Sequence, residues 1–153
     1  MERDIYAAQL FLDGYNCAQA ITVAFSDVTG LSKEFSARMA SSFGGGIGRL
    51  REVCGAVSGM VMVAGLLYGY DSCNDDSAKK AHYALVQELA GKFREEAGSI
   101  VCREILKNPP SDPNPTPRTA EFYKQRPCTR MVMIAARILD AYIQSHSPLT
   151  ANA

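Results

Sequence analysis

Apolar residues recur at mixed three- and four-residue spacings along most of the chain. From Ile5 to Val28 the stripe runs through Leu10, Cys17, Ile21, Ala24 and Val28, which predicts an amphipathic helix. Gly14 interrupts it, and Asn16 is placed to cap a fresh start with Cys17 just inside. After a break at Gly30 to Ser32, the stretch Lys33 to Phe43 reads as a short helix. Val53 to Gly69 then runs 17 residues without a charge. Its apolar side chains Ala56, Val57, Met60, Val61, Val63, Ala64 and Leu67 wrap the whole circumference, which predicts a central helix buried on all sides. At 17 residues, with four glycines inside, it is short for a membrane span, which needs about 20 apolar residues. Asn74 is the expected cap of a long helix with the stripe Ala78, Ala81, Leu85, Leu89, Phe93 and Ala97, ended by Gly98. Ser99 is expected to start another helix over Ile100 to Lys107. A last helix begins near Pro127 and carries Cys128, Met131, Val132, Ala135, Leu139 and Tyr142 on one stripe.

Two stretches resist any periodic reading. Gly44 to Arg49 holds four glycines in five positions and predicts a loop or sharp turn. Residues 108–118 hold five of the seven prolines and predict an extended surface excursion. Too few residues follow that segment to form a second core. No stretch alternates with a period of two, so the expected fold is all-α: about five or six helices bundled around residues 53–69, in one domain spanning 1–153. An uncharged central helix in so small a bundle needs cover on every side, and a homodimer is the expected assembly.

Composition narrows the function classes. Lys+Arg and Asp+Glu both number 16, for a formal net charge of zero, so no electrostatic footprint for nucleic acid is present. Only two histidines occur, which disfavours a site built mainly from imidazole. The start of the sequence runs into a helical pattern without an apolar signal core, so a reducing cytoplasmic location is expected. In such a compartment the five cysteines are better read as redox thiols, metal ligands or small buried hydrophobes than as permanent disulfides.

Those cysteines are Cys17, Cys54, Cys73, Cys102 and Cys128, no two closer than 19 residues, which rules out local C-x-x-C metal or redox motifs. Four of them fall at expected helix starts. Cys17 follows the Asn16 cap, Cys54 follows the glycine loop, Cys102 lies three residues past Ser99, and Cys128 follows Pro127, a residue favoured at the first helical position. A sulfur there meets free N–H groups and the positive dipole end, which favour thiolate. Arg49, Arg51, Arg103, Arg126 and Arg130 lie nearby in sequence. Cys54 is expected to be the most reactive thiol, with a lowered pKa. The glycine loop resembles a phosphate-binding turn only superficially, since no strand precedes it and no G-x-x-x-x-G-K follows. Gly55 and Gly59 share one helix face and are expected to admit a closely packed neighbour.

Asn16-Cys17-Ala18-Gln19-Ala20, the Gly44 to Arg49 loop, Cys54-Gly55-Ala56-Val57-Ser58-Gly59, Cys102-Arg103-Glu104 and the late Cys128 together resemble the redox-active C-GCAxxG-C-C family, marked by CGAxxG and three further cysteines in this order. The resemblance covers nearly the whole chain and leaves Cys73 outside the pattern. It implies a thiol-based redox protein in which Cys17, Cys54, Cys102 and Cys128 are the catalytic set, by thiol–disulfide exchange or electron transfer, with Cys54 attacking and another matched cysteine resolving. Two further readings stay open. The same four cysteines could converge on an iron–sulfur cluster or zinc. Alternatively the chain is a non-catalytic partner of a membrane transporter, since family genes often neighbour transporter genes; a separate redox protein is the other partner class. Four matched cysteines allow three pairings, and spacing selects none of them.

Overall fold

The computed structural model describes residues 1–149. Among them the helices are α1 (Arg3–Leu12), α2 (Cys17–Ala24), α3 (Ser26–Thr29), α4 (Lys33–Ala40), α5 (Gly55–Tyr68), α6 (Asp76–Ala97), α7 (Cys102–Ile105), α8 (Ala120–Gln125) and α9 (Cys128–Ser145), with a 3-10 turn over Ser41–Phe43 after α4. The fold is all-α. Six of these helices reach eight residues or more, and the rest are single turns or little longer. No helix among the described residues is long and apolar enough to cross a membrane.

The break after α1 is made by Gly14, whose φ of 118° lies where a side chain is strained. Tyr15 N–H reaches Leu10 C=O at 3.2 Å and Gly14 N–H reaches Phe11 C=O at 3.1 Å, a Schellman ending. The chain then restarts at once. Asn16 accepts from Gln19 N–H at 2.8 Å, and the Gln19 side chain accepts from Asn16 N–H at 3.0 Å, a complete capping box.

Helix α5 lies at the centre, packed by α2 and α9, with α6 also alongside. Ala56, Val57, Met60, Val63, Ala64 and Leu67 join Ile21, Leu89, Phe93, Val132 and Leu139 in one core. A Cβ on Gly59 would lie 2.8 Å from Ala18 C=O and from Ile21 Cβ, so α2 does approach the glycine face of α5 closely. The expectation of burial on all sides holds for the first half of α5 and fails for the second. Val61, Met62 and Gly65 are only partly covered and Leu66 is 38% exposed, because the long α6 covers one flank and leaves the other open.

Two expected starts are corrected. Asp75, not Asn74, caps α6 by accepting from Ala78 N–H at 2.9 Å. The expected helix over Ile100 to Lys107 shrinks to the four residues of α7, because Val101 instead bridges antiparallel to Val53 and the backbone from Ile100 to Arg103 bonds that of residues 51–54. Cys54 N–H bonds Ile100 C=O at 2.8 Å, Cys102 N–H bonds Glu52 C=O at 2.6 Å, and Arg103 N–H bonds Arg51 C=O at 3.1 Å. Backbone pairing with a distant segment outcompetes a helix that a Ser99 cap alone would have to nucleate.

Candidate functional site

The four cysteines of the pattern meet. Cys17, Cys54, Cys102 and Cys128 all line one cavity of about 480 Å³, while Cys73 is exposed in the turn before α6. Each is delivered by the start of a helix. Cys17 opens α2 behind the Asn16 box, Cys102 opens α7, Cys128 opens α9 behind Pro127, and Cys54 is the residue that caps α5. All five cysteines are free thiols.

The glycine loop is the floor that makes this convergence sterically feasible. Arg49 N–H bonds Gly44 C=O at 3.2 Å, Arg51 N–H bonds Gly45 C=O at 3.1 Å and Glu52 N–H bonds Gly46 C=O at 2.9 Å, so the chain coils widely back over itself. A Cβ on Gly46 would sit 2.8 Å from Cys102 Cβ, and one on Gly55 would sit 2.4 Å from Cys17 Sγ. Ile47, Arg49 and Arg51 also adopt positive φ, near 67°, 67° and 63°, a strained choice for side-chain-bearing residues and costliest at the β-branched Ile47. That strain aims Arg49 and Arg51 into the cavity instead of solvent.

The roof is the proline-rich segment. It is extended, as expected, yet it is not a free excursion. Arg49 Nε donates to Asp112 C=O at 2.8 Å, Arg49 Nη1 donates to Thr116 Oγ1 at 2.8 Å, and Arg51 Nε donates to Pro110 C=O at 2.9 Å. Arg118, at its end, donates to Phe11 C=O and Tyr15 C=O, both at 3.1 Å, and lies over the Phe11 ring at 4.3 Å. Pro113, Pro115, Thr116 and Arg118 therefore wall the cavity. Spacing of the chemistry-bearing residues gave no sign of this. The one available signal was an arginine, Arg118, closing a run of prolines. Of the arginines expected near the thiols, Arg49, Arg51 and Arg126 line the cavity. Arg103 instead pairs with Glu52 at 2.7 Å, and Arg130 donates to Glu96 C=O at 3.2 Å.

Electrostatics correct the expectation for Cys54. Its thiol is pushed well above its ordinary value of 9.0, first by burial and then by the nearby Cys17; the amides of Ala56 and Val57 pull the other way and lose. Burial likewise raises Cys17 against an N–H from Gly45, with Cys102 adding to the rise. Burial raises Cys128 to about 12, again with Cys17 adding, against the lowering effect of Arg126 and Arg118. Helix-start amides act on Cys17 and Cys54 in the expected direction, but removal from water outweighs them.

Cys102 has a different neighbour. Arg51 Nη1 donates to its sulfur across 3.7 Å. A guanidinium N–H directed at sulfur stabilises negative charge there. Among the described residues no three His, Cys, Asp or Glu side chains are arranged to hold a metal ion.

With four ordered cysteines and the CGAxxG start of α5 converging on one cavity, comparison with known families decides membership. The family described as "Putative redox-active protein (C_GCAxxG_C_C)" matches residues 15–142. The chain belongs to this family. The C_GCAxxG_C_C match spans every element that contributes a cavity cysteine, from α2 to α9. No curated protein and no solved structure gives a significant match.

Proposed function

We propose that this C_GCAxxG_C_C protein is a thiol–disulfide oxidoreductase in which Cys102, not Cys54, is the attacking sulfur. The observation that carries the reading is the Arg51 Nη1 contact on Cys102 Sγ inside the cavity shared by all four cysteines. The Cys102 thiolate attacks one sulfur of a disulfide RSSR, forms a mixed disulfide, and expels RS⁻, which takes up a proton. Cys17, whose thiol responds to charge on Cys102, then loses its proton and attacks the Cys102 sulfur. A Cys17–Cys102 disulfide forms and a second RSH leaves. Two electrons pass from the two protein thiols to RSSR, and two equivalents of a thiol reductant restore the protein by the reverse exchange. Cys54 and Cys128, whose thiols burial pushes up, keep the sulfur environment apolar and take no part in the exchange.

The test uses the reduced Cys17→Ser variant, in which the mixed disulfide cannot be resolved. Treated with 2-hydroxyethyl disulfide and mapped by mass spectrometry, it is expected to carry the adduct on Cys102. Adducts confined to Cys54 or to the exposed Cys73 overturn the assignment.

A further inference from the structure

The cavity wall carries four arginines, Arg49, Arg51, Arg118 and Arg126, and no aspartate or glutamate. That is an unusual load for one cavity, because a cation withdrawn from water is costly unless it is compensated. Arg51 is the extreme case. It is 5% exposed, forms no ion pair among the described residues, and its Nη2 is buried with no acceptor, although its other two nitrogens are used. The Arg126 guanidinium makes no hydrogen bond among the described residues and lies over the Phe122 ring at 5.4 Å. Arg49 is only loosely answered, by the half-exposed Asp112 carboxylate at 4.0 Å. Burial, and then the like charge of Arg51 and of Arg126, lowers the Arg49 pKa, which places three of these cations within each other's field.

Apolar side chains share the wall, with Phe11, Ile105, Leu106, Phe122 and Met131 facing the same space as the sulfurs. A volume near 480 Å³ suits a small molecule and not a protein loop. Positive charge, an apolar wall and reducible sulfur chemistry in one cavity narrow the ligand to one class.

We propose that the cavity selects anionic low-molecular-weight disulfides: an aliphatic disulfide bearing carboxylates, one of which supplies the counter-charge that Arg126 lacks. The proposal rests on the exchange reading above, and the reaction is the same balanced exchange, with RSSR now a dicarboxylate and the products two carboxylate-bearing thiols. Arg126 acts as a binding residue, orienting the disulfide towards Cys102 without taking part in bond exchange.

Three disulfides of nearly equal size test this on the reduced full chain: dithiodiglycolate (dianion), 2-hydroxyethyl disulfide (neutral) and cystamine (dication). Each rate is divided by that of the same disulfide with free 2-mercaptoethanol, which removes intrinsic reactivity. The expected order is dianion, neutral, dication, with about tenfold between the first two, an electrostatic selection that added salt flattens. Arg126→Gln is expected to shrink the dianion-to-neutral ratio severalfold. In parallel, calorimetric titration with 3,3′-thiodipropionate, a thioether dianion that cannot exchange, reads binding without chemistry, against neutral 2,2′-thiodiethanol. Equal corrected rates for all three disulfides, with no thiodipropionate binding, overturn the anion site and leave the exchange reading standing. Thiodipropionate binding without reaction of any disulfide keeps the anion site and removes the exchange reading. Neither binding nor reaction removes both.

Discussion

Arg51 joins two parts of the site that are far apart in sequence: Nη1 donates to Cys102 Sγ at 3.7 Å while Nε donates to Pro110 C=O at 2.9 Å. One planar guanidinium thus fixes both the Cys102 sulfur and the segment that roofs it. A lysine retains the charge but lacks the fork needed to hold two partners at once. We expect Arg51→Lys to keep part of the exchange rate and Arg51→Gln to lose more than tenfold, measured with 2-hydroxyethyl disulfide at fixed pH. Equal rates in the two variants would show that the charge on Cys102's neighbour is irrelevant to the reaction.

A second expectation concerns two glycines of opposite kind. A Cβ at Gly55 would lie 2.4 Å from Cys17 Sγ and 2.8 Å from Phe43 C=O, and the backbone cannot yield as a flexible side chain would. Gly55→Ala is expected to lower unfolding free energy by about 1–3 kcal/mol and to displace Cys17. Gly91, inside α6, has nothing within 4 Å of its would-be Cβ, so Gly91→Ala is expected to stabilise by about 0.4–1 kcal/mol. Urea unfolding of both variants gives the comparison.

Alkaline pH should weaken the fold. Cys128 holds its proton to about 12 in the folded chain, whereas the unfolded chain releases it near the ordinary 9.0. A proton bound more tightly by the folded state contributes stability that is complete below about 9 and is lost as pH rises from there towards 12. For a single thiol the slope is up to about 1.4 kcal/mol per pH unit. Cys54 acts in the same direction. Denaturation midpoints taken from pH 8 to 11 should fall, and fall less steeply in Cys128→Ala. A flat profile would place Cys128 in contact with water.

The roof should loosen without Arg49. Arg49→Ala removes the bonds to Asp112 C=O and Thr116 Oγ1, leaving Arg51 and Arg118 as its remaining ties. Amide hydrogen exchange in residues 111–116 is expected to quicken several-fold, while Leu89 and Phe93 in the buried face of α6 keep their protection. Unchanged exchange in 111–116 would mean that the prolines alone hold the segment.

Much of the fold was legible because helix periodicity and caps are local. The Asn16 restart, the Gly98 ending and the stripe of α9 appear where the spacing put them, and α6 buries Leu85, Leu89 and Phe93 of its stripe while Ala81, in its first half, is exposed. So were the cysteines as a group, since four thiols at helix starts are a pattern readable without contacts. Three things were not legible. The pairing of 51–54 with 100–103 is a long-range backbone interaction with no period-two signature in either short segment. The role of 108–118 as a roof depends on where Arg49 and Arg51 point, which positive φ values decide. The Arg51 contact on Cys102 and the rise that burial imposes on Cys54 both depend on tertiary packing, which sequence does not reveal.

Because α9 supplies Cys128 and Met131 to a cavity begun by α2, the site has no existence in any partial chain. While the protein is being synthesised, Cys17, Cys54 and Cys102 emerge one after another with nothing yet to bring them against a common wall. Only when α9 docks between α1 and α6 does the chamber close. The price of drawing cysteine-bearing elements from distant parts of the chain is slower assembly, since distant contacts must be made before the site appears. In return, the thiols stay dispersed during the period when a nascent chain is most exposed to wrong partners, and redox competence arrives together with the finished fold.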